Sequence, residues 1–132
     1  MSMKGECTNI KASDAQIGGS HYKDMPFQPV ELFAKTRCTA FQANIWKYIT
    51  RYKHKNGAED VRKCMHYAQL ALELRCGGCL GPTERAHVNL FCDINGLSDS
   101  QSKIAKYASF DNYTGVVEEC AKLLKEEYPQ GV

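Results

Sequence analysis

FQANIWKYITRYKHKNGAEDVRKCMHYAQLALEL, residues 41–74, is the stretch that decides the fold. Phe41, Ile45, Tyr48, Ile49 and Tyr52 recur at helical spacing and describe one apolar face. Asn44, Lys47, Arg51 and Lys55 recur at the same steps on another face. Asn56-Gly57 ends that helix, because glycine readily takes the left-handed conformation that closes a helix C-terminus. A second helix is predicted from Ala58 to Arg75, with Val61, Met65, Ala68 and Leu72 as its buried stripe and Cys64 and Ala71 beside it. Glu59 and Asp60 fall in its first turn, where the helix dipole favours carboxylates. So short a connection between two amphipathic helices makes an antiparallel hairpin.

Upstream, residues 1–15 lack periodicity and read as a flexible leader. IGGSHYKDMPFQP, residues 17–29, has two glycines and two prolines and reads as an ordered loop. Pro29 suits a first helical position, so a short helix is expected over Val30–Lys35. Downstream, CGGCLGP at 76–82 breaks the chain, and a short helix is predicted from Thr83 to about Phe91. Ser98 with Gln101 forms a capping-box pattern for a helix ending near Ser109. Val116, Cys120, Leu123 and Leu124 mark a last amphipathic helix before Pro129. No strand-like alternation is visible. The expected class is all-α: a hairpin-centred motif region over 16–75, followed by a helical C-terminal extension over 76–132.

A chain of 132 residues with 43% hydrophobic residues fits one domain with a modest core. Its formal net charge of +2 excludes a general polyanion binder, so any attraction for phosphate has to come from local clustering. The polar N-terminus lacks the apolar stretch of a signal peptide, and no run approaches the ~18 apolar residues that span a membrane. Seven cysteines without a secretory signal imply reduced thiols in a cytosol rather than a disulfide framework. Cys76, Cys79, His87 and Cys92 have a spacing like that of a zinc knuckle with a lengthened middle. The competing reading makes Cys92 a small buried apolar residue. Spacing leaves both open, and no metal ligand is assigned.

The chemistry-bearing residues gather near the hairpin. Lys47, Arg51, Lys53, His54 and Lys55 lie close together, and Arg62 and Lys63 begin the return helix. Gly18, Gly19, Ser20, His21, Tyr22 and Lys23 precede them in the loop. Glycine lets backbone N–H groups approach an anion, and serine and histidine add donors. Lysine and arginine on adjacent turns can hold further phosphate oxygens. Tyr22, Trp46, Tyr48 and Tyr52 offer faces for base stacking. An equally good account makes the basic stripe a solvated face, the aromatics core, and Asp60 a partner of Arg51 or Arg62 across the hairpin. Under the pocket account, reversing the charge of Arg51 abolishes ligand binding and changes stability little.

GGSHYKDMPFQPVELF together with the 41–74 stretch resembles a phage family of small helical proteins described as SaV-like or nucleotide-kinase-like. The shared pattern is Ser20, His21 and Tyr22; Asn44, Lys47, Tyr48 and Arg51; Lys55, Asn56 and Gly57; then Asp60, Lys63 and Tyr67. Ala43 departs from it, since a glycine commonly precedes the asparagine. A related domain occurs in a podophage nucleoside-monophosphate kinase that lacks a P-loop. The resemblance implies a nucleotide site drawn from the loop and both helices: Gly19, Ser20, His21, Tyr22, Lys23, Asn44, Lys47, Tyr48, Arg51, Lys55, Asp60 and Lys63.

Phosphoryl transfer needs positioning and charge neutralisation, for which Lys47, Arg51 and Lys63 are suited. A P-loop is absent, and Asp24, Glu31, Glu59 and Asp60 do not form an evident two-metal set. Two functions are therefore expected to compete. One is a nucleoside-monophosphate kinase using ATP or another nucleotide; the other is a non-catalytic binder that sequesters a nucleotide or cyclic-nucleotide immune signal. A homo-oligomer in the host bacterial cytoplasm is expected, without a membrane partner. The near-neutral charge argues against extended nucleic-acid contact.

Overall fold

The computed structural model describes residues 24–131, and among these there are six α-helices and no strand. They are α1 (Pro29–Thr36), α2 (Ala40–Arg51), α3 (Ala58–Glu73), α4 (Pro82–Ile94), α5 (Asp99–Ser109) and α6 (Tyr113–Glu127). The all-α expectation holds. Local signals explain most boundaries. Pro29 occupies the first turn of α1, where its missing N–H costs nothing, and Gln28 and Glu31 form a capping box. Thr39 and Gln42 cap α2 in the same way, and Ser98 and Gln101 cap α5 as expected. Helix α2 tightens into a 3-10 turn at Tyr52–His54 before Gly57, whose φ of 56° opens α3.

The helices associate as three pairs: α1 with α4, α2 with α5, and α3 with α6, the middle pair touching both others. Helix α2 therefore buries two faces. Ile45 and Ile49 enter one core with Val61, Cys64, Ile104, Val116 and Cys120. Trp46 enters a second core with Phe27, Leu32, Val88, Phe91 and Ala105. The 76–132 stretch thus supplies half the walls of the first core and most of those of the second. The predicted stripe of α3 is rotated: Val61, Cys64, Ala68 and Ala71 are buried, and Leu72 is 46% exposed. Helix α6 docks beside the Cys64 flank, with Cys120 Sγ 3.7 Å from Cys64 Sγ. Burial and the neighbouring Cys120 thiol push the Cys64 thiol well above its ordinary range.

Three side-chain hydrogen bonds join α2 to α5 like rungs. Gln42 Nε2 donates to the Ala108 carbonyl at 3.0 Å, Trp46 Nε1 to Ala105 at 3.0 Å, and Gln101 Nε2 to Ile49 at 2.8 Å. Ascending on α2 means descending on α5, so the rungs fix an antiparallel pair. Both glutamines also use Oε1 to cap their own helices, accepting from the Thr39 and Ser98 N–H groups. Each buried amide is satisfied at both ends, as burial requires. Gln101→Leu keeps the volume and removes the polar atoms, so it should lower unfolding free energy by about 1–3 kcal/mol in urea titrations. An unchanged midpoint would remove the rung from the account of stability.

Residues 76–81 form a strap over the end of this pair. Leu80 N–H donates to the Ser109 carbonyl at 3.0 Å, and Gly78 N–H to Asp111 Oδ2 at 2.6 Å. A side chain at Gly78 would start 2.7 Å from Thr39 Cγ2, so the strap passes too close to the α2 cap for any larger residue. None of the described helices is long and apolar enough to cross a membrane.

Candidate functional site

Asn44, Lys47, Tyr48 and Arg51 lie along one edge of α2, and Asp60, Lys63 and Tyr67 along the facing edge of α3. Tyr48 is the centre of what the two edges bring together. Its ring stacks on Tyr67 at 6.0 Å between centroids and 14° between planes. Lys47 Nζ lies 5.0 Å from the Tyr48 centroid, Arg51 Cζ 4.9 Å and Lys63 Nζ 5.4 Å. Each distance is within cation–π range. Three like charges held around one ring repel one another, and the ring's electron density offsets part of that repulsion.

Two of the cations also have carboxylate partners. Arg51 Nε and its terminal NH2 donate to the two oxygens of Asp60, each at 3.1 Å, and Asn56 N–H adds a third bond at 3.2 Å. Asp60 is fully buried, so this fork satisfies a carboxylate that water cannot reach. The pairing across the hairpin is therefore structural, and the expectation that Arg51 could be reversed at little cost to stability does not fit it. Lys63 Nζ meets Glu59 at 3.1 Å, one helical turn back. That bond raises the Lys63 ammonium above its ordinary range, against a smaller effect of desolvation. Lys47 has no carboxylate partner among the described residues.

The remaining candidates are less closely tied in. Asn44 Nδ2 donates to the Ala40 carbonyl of its own helix at 2.8 Å. Lys55 is exposed at the hairpin turn, and no described contact joins it to Tyr48. Gly19, Ser20, His21, Tyr22 and Lys23 lie outside the described residues. Two of the proposed stacking faces belong to the cores: Trp46 and Tyr52 are 0% and 1% exposed. Tyr52 donates instead to Glu127 Oε1 at 3.0 Å, and burial, reinforced by that carboxylate, pushes its phenol pKa upward. The cysteines of the knuckle-like spacing are not gathered, and among the described residues no group of three or more His, Cys, Asp or Glu is placed to hold a metal. Cys92 is buried in the second core, where desolvation raises its thiol pKa, and Cys79 is exposed.

Around the end of α2 from the Tyr48 cluster opens a cleft of about 470 Å³. Thr50, Lys53 and His54 form one wall, Met25 another, and Asn95 and Leu97 of the α4–α5 turn a third. The sequence offered little signal for it, because three distant segments contribute. Its one local mark is Asn95, which ties the turn to the loop by accepting from the Phe27 N–H at 3.2 Å and donating to the Phe27 carbonyl at 2.8 Å.

Residues 17–69 match the model of a protein family of unknown function (DUF3310). The matched stretch includes α1, α2 and most of α3, with every described residue of the Tyr48 cluster. It carries no activity with it. No curated protein and no solved structure matches the chain.

Proposed function

We propose that this protein binds nucleotides by their phosphates at the α2–α3 edge, as a binder rather than a phosphotransferase. The observation that carries the reading is the convergence of Lys47, Arg51 and Lys63 on Tyr48. Three cations against the two carboxylates Asp60 and Glu59 leave a local surplus of one positive charge, and an arriving phosphate relieves the repulsion among them. The resemblance to phage nucleotide-kinase-like proteins favours a nucleotide over other anions and a phage setting. Sequestration is favoured over catalysis by the state of Asp60, whose two oxygens are both engaged by Arg51 and which is shut off from solvent. A general base has to reach the attacking hydroxyl.

Calorimetry with linear and cyclic nucleotides should show saturable binding, with the ligand recovered chemically unchanged. Lys47→Glu should weaken that binding at least about tenfold, equivalent to 1.4 kcal/mol, with the thermal midpoint unaltered. Transfer of label from ATP to a deoxynucleoside monophosphate, above a boiled control, would instead establish a kinase. No binding of any nucleotide would end both readings.

A further inference from the structure

We infer that the cleft at the end of α2 is a compartment for the nucleoside part, base and sugar, of a nucleotide whose phosphates rest on the Tyr48 cations; this inference rests on the nucleotide-binding reading. Volume is the first argument. About 470 Å³ falls within the range of pockets that enclose small organic ligands. Wall chemistry is the second. Met25 and Leu97 are half-buried apolar side chains, and the exposed Lys53 adds one polar group at the rim, whereas the Asn95 amide is spent on Phe27 and the Thr50 hydroxyl on the Trp46 carbonyl. An apolar surface with a polar group at its rim suits the stacking of a flat heterocycle.

Charge is the third argument and assigns the two ends of the ligand. Lys53 and Asp24 both line the cleft, so their formal charges cancel, and among the described lining residues no further Lys, Arg, Asp or Glu remains to attract a phosphate. The Tyr48 cluster has that surplus. Position completes the case. Thr50 follows Lys47 by three residues and His54 follows Arg51 by three, so cleft and cation cluster occupy neighbouring strips of one helix and its 3-10 continuation. A single ligand running around α2 would leave its neutral part in the neutral cleft and its anionic part on the cations.

The test uses the full chain and calorimetric titrations with four deoxynucleoside monophosphates and with inorganic pyrophosphate. Met25→Trp fills the cleft from its half-exposed loop and should weaken the tightest monophosphate at least about tenfold, while leaving pyrophosphate affinity within about twofold. Lys47→Glu should weaken both. In the unaltered protein, amide NMR signals of Thr50, Gly96 and Leu97 should shift with the monophosphate and stay in place with pyrophosphate. Monophosphate binding that ignores Met25→Trp and leaves those amides unmoved overturns the inference and leaves nucleotide binding intact. Failure of the unaltered protein to bind any monophosphate overturns both.

Discussion

Arg51→Ala should cost about 3–5 kcal/mol of folding free energy, which in a domain of this size is a large share of the total. The loss comes from what remains behind. Asp60 is fully buried and accepts three hydrogen bonds, two of them from the Arg51 fork. Without the guanidinium, a carboxylate stays in a low-dielectric site with the Asn56 N–H as its one remaining hydrogen bond among the described residues. Urea unfolding followed by far-UV circular dichroism measures the loss. Replacing both partners, as Arg51→Met with Asp60→Leu, should recover most of it, since an apolar pair of similar volume leaves no charge to desolvate. An Arg51→Ala protein that unfolds at the unaltered midpoint would mean that Asp60 does not depend on its partner. A binding defect in any Arg51 variant is therefore ambiguous, and Lys47 is the sound probe of ligand contact.

Trp46→Ala should be comparably damaging, at about 3–5 kcal/mol. The indole is fully buried, stacks on Phe33 at 6.4 Å and 19°, and donates to the Ala105 carbonyl. Truncation leaves a cavity in the second core and removes the middle rung between α2 and α5. Trp46→Phe should lose less, because the ring stays and only the donor goes. Circular dichroism during denaturation distinguishes the two variants. Near-equal midpoints for Trp46→Ala and the unaltered protein would show that the second core contributes little to cooperative unfolding.

Trp46 also shows how far the sequence could be read. Helical spacing marked the α2 face that carries Ile45 and Ile49, but α2 is a central helix with two buried faces. A single-stripe reading therefore left Trp46 available as a stacking platform. The rotation of the α3 stripe has the same origin: which flank of Cys64 is covered depends on where α6 docks, and that is a long-range choice. Signals confined to three or four residues were more legible. Ser98 with Gln101 located the start of α5, and Thr39 with Gln42 is the same pattern at α2. At the site, spacing set Lys47 and Arg51 on a different face from Tyr48, and the family resemblance was what gathered Lys47, Tyr48, Arg51, Asp60 and Lys63 into one candidate site. Neither could distinguish a guanidinium aimed at ligand from one committed to a buried carboxylate, because that depends on solvent access at Asp60. The cleft was illegible for a plainer reason, being a meeting of three segments from distant parts of the chain.

The three-pair arrangement bears on the order in which the protein can come into being. A ribosome releases the hairpin first, with Ile45, Ile49, Val61 and Ala68 facing a space that Ile104, Val116 and Leu123 have yet to fill. Until α5 and α6 emerge, that face is bare, and the buried setting that holds Asp60 against Arg51 is unfinished. The contacts around Tyr48 lie within the hairpin, but the burial of the Arg51–Asp60 pair beneath them is completed only late in synthesis. A truncated or nascent chain would carry the side chains of the site over an unfinished base.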